Sequence, residues 1–95
     1  MSGLPIYIDI DGTLTTAGRP GGAPALDRID RVRQMIGRGI PVVIWSASGT
    51  EYARAFADRY DLHPLAAIGK PSYCIDDNPS LRPGFLVVPP DELDV

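Results

Sequence analysis

Ninety-five residues are enough for one domain with a modest core, and they leave no room for a second. Apolar residues make up 44% of the chain, ordinary for a globular protein and sufficient for a buried sheet. A formal net charge of −3 argues against general binding to nucleic acid or to an anionic membrane surface.

Residues 4–10 form the first apolar run, rich in branched side chains, and read as a buried strand. It delivers Asp9 and Asp11, which point the same way in an extended chain and so emerge together where the strand ends. Gly12 lets the backbone turn sharply beside them. Two carboxylates at one mouth repel each other unless a cation or a shared proton intervenes. Residues 12–24, rich in Gly, Pro and Thr, have no helical period and read as a loop or short flap beside these aspartates, with Gly21 and Gly22 giving it flexibility.

Leu26, Ile29, Val32 and Ile36 follow at helical steps, with Arg28, Arg31 and Arg38 on the opposite face. Gly37 and Gly39 are placed to end this helix before the strand 40–45, which leads to Ser46. Ser48 and Glu51 have the spacing of a capping box, with Tyr52, Ala53, Phe56 and Tyr60 as the apolar side of a second helix. Trp45 reads as packing, and His63 as a solvated loop residue. Residues 65–68 make a weaker strand, and Lys70 follows in Gly69-Lys70-Pro71. Strands over 73–75 and 85–88 complete the pattern, the first running into Asp76-Asp77 and the second into an acidic tail.

Alternating strands and helices imply right-handed crossovers and a doubly wound, Rossmann-like parallel sheet with flanking helices, whose sites form at the carboxyl ends of strands. Cys74 is the only cysteine, so no intrachain disulfide forms and a reducing compartment is expected. No basic segment leads into a long apolar run, and no run approaches the ~20 residues that span a bilayer. The expectation is a soluble, cytoplasmic protein.

Four features fall at strand ends: Asp9-Ile10-Asp11-Gly12-Thr13, Ser46, Lys70 and Asp76-Asp77. Carboxylates suit a hard divalent cation, and magnesium takes few protein oxygens alongside water and substrate phosphate. A cation and a lysine together offset the repulsion between a carboxylate and a phosphate dianion. This set, in this order, resembles the haloacid dehalogenase superfamily of aspartate-nucleophile phosphohydrolases, across the chain from Asp9 to Asp77. The resemblance implies that Asp9 attacks phosphorus and that Asp11 serves as acid and then base. Ser46 and the Ala47 amide would bind the phosphoryl group, and Lys70 would hold Asp9 and neutralise charge. Magnesium would sit on Asp9, the main-chain carbonyl of Asp11 and Asp76, with Asp77 binding through water or orienting Lys70.

The family's cap insertions have no room here, so the resemblance implies a minimal, capless core with a site open to solvent unless another subunit covers it. Lys70 stands too close to Asp76 for an intervening helix, which implies a short fourth strand or a vestigial third. The expected substrate is a small phosphorylated metabolite, a nucleotide or a phosphorylated nucleic-acid end, and the oligomeric state stays open. A phosphorylated receiver-like signalling domain and a non-catalytic regulatory module are the competing readings. A long-lived phosphoprotein would mark the first, and metal binding without turnover the second.

Overall fold

The structure, a computed structural model, describes residues 3–75 and 86–88. Strand β1 (Ile6–Asp9), helix α1 (Leu26–Gly37), strand β2 (Val42–Ser46), helix α2 (Thr50–Arg59) and strand β3 (Ala66–Gly69) follow one another, and then strands β4 (Tyr73–Ile75) and β5 (Leu86–Val88). The first three strands form a parallel sheet in the order β1-β2-β3, with Asp9 opposite Trp45 and Ser46 opposite Gly69.

Side chains alternate across β2. Val42 and Ile44 join Ile29 and Val32 of α1 and Ala53, Phe56 and Ala57 of α2 in one buried cluster with Ile10 and Leu14. Both helices therefore cover the same face of the sheet, as two right-handed crossovers in one direction require. Asp9 shares the parity of Trp45 and points to the other face.

A doubly wound sheet needs the chain to reverse and place a strand on the free edge of β1. Instead, β4 pairs in parallel with β5 in a separate two-stranded sheet. The expected single sheet is thus two ladders among the described residues. Of the two alternatives for the short step after Lys70, the first holds: β4 is short, three residues in a separate ladder, while β3 is a full member of the first sheet and not a vestige.

Local chemistry fixes the element ends. The Ile10 carbonyl accepts the amides of Thr13, Leu14 and Thr15, so the chain leaves β1 in a tight turn, earlier than the apolar run suggests. Gly12 sits at φ +83°, as the sharp turn requires. The flap closes on itself through a Thr15–Pro24 bridge and the Thr16 amide bond to the Ala23 carbonyl. Gly22 is a packing position and not a flexible one, because a Cβ there would lie 2.8 Å from the Ala17 nitrogen. Leu26, expected on the apolar stripe of α1, is exposed at its first turn.

Helix α2 begins differently from the capping-box expectation. Gly49 is the N-cap at φ +110°, and no side chain caps the helix. Ser48 instead donates its main-chain amide to Ser46 Oγ at 3.0 Å. No helix among the described residues is long and apolar enough to cross a membrane.

Candidate active site

The mouth of β1 brings Lys70 onto Asp9 and Tyr52 onto Asp11. Lys70, just past the end of β3, places Nζ 3.1 Å from Asp9 Oδ1. Its main chain is fixed there, since the Lys70 amide donates to the Ser46 carbonyl at 2.8 Å. The neighbouring Gly69 amide donates to Thr50 Oγ1 at 2.9 Å, and Gly69 lacks the Cβ that would lie 3.2 Å from Gly49 Cα. The tip of β3 and the start of α2 are thereby held close together. Lys70 Nζ also lies 5.6 Å from the centre of the Trp45 ring, whose edge meets Tyr7. The Thr13 hydroxyl reaches Asp9 Oδ2 at 3.5 Å.

Asp11 is held by a residue that sequence reasoning assigned to packing. Tyr52, on the first turn of α2, donates its hydroxyl to Asp11 Oδ1 at 2.6 Å. Burial, then this hydrogen bond, then the charges of Asp11 and Asp9 push the phenol from its usual 10.0 up to about 12. The hydroxyl therefore stays a neutral donor to Asp11 at physiological pH. Because the folded-state value is raised, this contribution to stability is complete below pH 10 and is lost as pH rises through about 12. Ultraviolet titration of the chain's four tyrosines should show a phenol that ionises near pH 12 and vanishes in Tyr52→Phe. A late phenol surviving that substitution would place it elsewhere. The only signal in the sequence was a tyrosine, in place of a leucine, near the start of α2.

Ser46 ends β2 one residue beyond the position paired with Asp9, and it is fully buried. Its oxygen accepts the Ser48 amide, and no bond among the described residues uses its hydroxyl proton. Ala47 follows in the exposed turn before α2. His63 stays in solvent beside Asp61, as expected. Asp76 and Asp77 lie outside the described residues. Among the described residues no three acidic, His or Cys side chains cluster as a metal centre. The Asp9 carboxylate, about a third exposed, and the Asp11 main-chain carbonyl are nevertheless oxygens of the kind by which magnesium is usually held.

Comparison with protein-family models, with curated proteins and with solved structures finds no match for this chain.

Proposed function

We propose that this chain is a magnesium-dependent phosphomonoesterase, a capless member of the haloacid dehalogenase superfamily that works through an aspartyl-phosphate on Asp9. The observation that carries the reading is the Lys70–Asp9 contact of 3.1 Å, joining residues far apart in sequence at one strand mouth. In the first half-reaction an Asp9 oxygen attacks phosphorus, and the leaving oxygen departs with a proton from Asp11. In the second, Asp11 takes a proton from water, whose oxygen displaces Asp9 and releases phosphate.

The Tyr52 hydrogen bond occupies Asp11 Oδ1 and leaves Oδ2 for the proton. Lys70 neutralises phosphoryl charge, and the Ser46 hydroxyl and Ala47 amide bind a phosphoryl oxygen. Asp9, the Asp11 carbonyl, Asp76 and, through water, Asp77 would hold magnesium, which supplies Lewis-acid charge stabilisation when bound.

Phosphate release from simple monoesters should need added magnesium, stop in EDTA and return when magnesium is restored. Undiminished turnover in EDTA would overturn the metal-dependent reading. A phosphoprotein lasting minutes would favour the receiver-like alternative.

A further inference from the structure

The flap and α2 enclose a cleft of about 210 Å³ lined by Thr15, Gly22, Tyr52, Phe56, Arg59 and Tyr60. Tyr52 belongs to both places, because its ring lines the cleft while its hydroxyl binds Asp11. Tyr52 therefore connects the cleft to the carboxylate that would protonate the leaving oxygen. In-line displacement sends the leaving group away from Asp9, on the side of the acid.

Three features define what fits. The volume is below the roughly 300–1,000 Å³ of pockets that hold a whole drug-sized ligand, so the cleft takes only part of one. Its walls carry three aromatic rings, with Phe56 and Tyr60 4.8 Å apart between centres, and such walls suit a flat apolar body. Its cation is uncommitted: Arg59 stacks over Tyr60 at 5.7 Å and forms no ion pair among the described residues. A larger hollow of about 630 Å³ lies beside Gly12, Asp27 and Arg28. The Arg28 guanidinium there already donates to the Thr13 carbonyl, and an acidic residue stands next to it.

We propose that the cleft between the flap and α2 is the leaving-group subsite, shaped for a single planar ring that carries an anionic substituent. The proposal rests on the phosphohydrolase reading above and adds the substrate class. Arg59 forms a charge-assisted hydrogen bond with the substituent, and the aromatic walls hold the ring beside Asp11. Gly22, which lines the cleft, is packed against Ala17 within the flap.

The experiment measures kcat/KM with magnesium for methyl phosphate, phenyl phosphate and para-carboxyphenyl phosphate. Arg59→Gln should cost para-carboxyphenyl phosphate roughly 10-fold or more, the usual loss for a charged hydrogen bond, and change phenyl phosphate by about twofold at most. Ala55→Trp, which fills the cleft from α2, should raise KM for both aryl esters relative to methyl phosphate. Arg54→Gln, also on α2 but lining a different hollow with Asp58 and His63, should keep the wild-type discrimination. Equal losses on both aryl esters in Arg59→Gln overturn the subsite, as does a uniform loss on all three esters in Ala55→Trp. So does a change in discrimination by Arg54→Gln as large as that by Arg59→Gln, since net charge alone would then explain it. Wild-type hydrolysis of all three esters without preference for the carboxylate sinks this inference alone. Hydrolysis of none removes the Asp9 reading and the subsite with it.

Discussion

Asp9→Asn should abolish turnover of every phosphate monoester while leaving the protein folded. The substitution keeps the side-chain shape and lets the Thr13 hydroxyl find an oxygen, but it removes the proposed nucleophile and the charged partner of Lys70. Loss of a group on which the other reactive groups depend costs about 10⁴-fold or more in kcat. Stability should move little, within about 0.5 kcal/mol, because the Asp9 side chain is about a third exposed and lies outside the apolar core. The measurement pairs kcat with a denaturant midpoint, and intact-mass analysis excludes deamidation back to aspartate. A variant with full activity would end the covalent mechanism, whatever the metal dependence of the wild type.

Much of this site could be read from the chain because local rules govern it. The strand delivers Asp9 to its mouth, the turn that follows places Asp11 there, and Gly12 supplies the positive φ which that turn needs. The partnership of Asp9 with Lys70 is not local; it depends on β3 ending level with β2, and only a resemblance in motif order suggested it. Tyr52 escaped notice because a tyrosine on the inner side of a helix reads as packing. Its hydroxyl acquires a role only when the crossover lays α2 beside the end of β1.

Two features depend on contacts at the strand tips. The weaker strand expected over residues 65–68 forms as Ala66–Gly69, and its small residues let Gly69 approach Gly49 and the start of α2. The spacing of Ser48 and Glu51 fitted a capping box, but Gly49 at φ +110° takes the cap position and turns Ser48 toward Ser46. In the second case tertiary contact at the strand tips outweighed local propensity. The separate β4–β5 ladder belongs with them, because strand identity can be read locally while sheet membership cannot.

Lys70→Met should separate a working lysine from a decorative one. Methionine keeps an unbranched stem near the Trp45 ring but removes the charge beside Asp9. A partly exposed ion pair of this kind contributes only about 0–1 kcal/mol to stability, so the unfolding midpoint should barely change. In the proposed reaction the same ammonium would face charge that develops on the phosphoryl group, and removing such a group costs about 10²–10³ in kcat. Lys70→Arg should not rescue fully, because a planar fork cannot occupy the position of a compact point charge 3.1 Å from Asp9 Oδ1. The discriminating result is therefore a large fall in kcat at nearly constant stability. If Lys70→Met keeps more than about a tenth of wild-type kcat, a loss of less than ~1.4 kcal/mol in the barrier, the contact with Asp9 is only a surface ion pair.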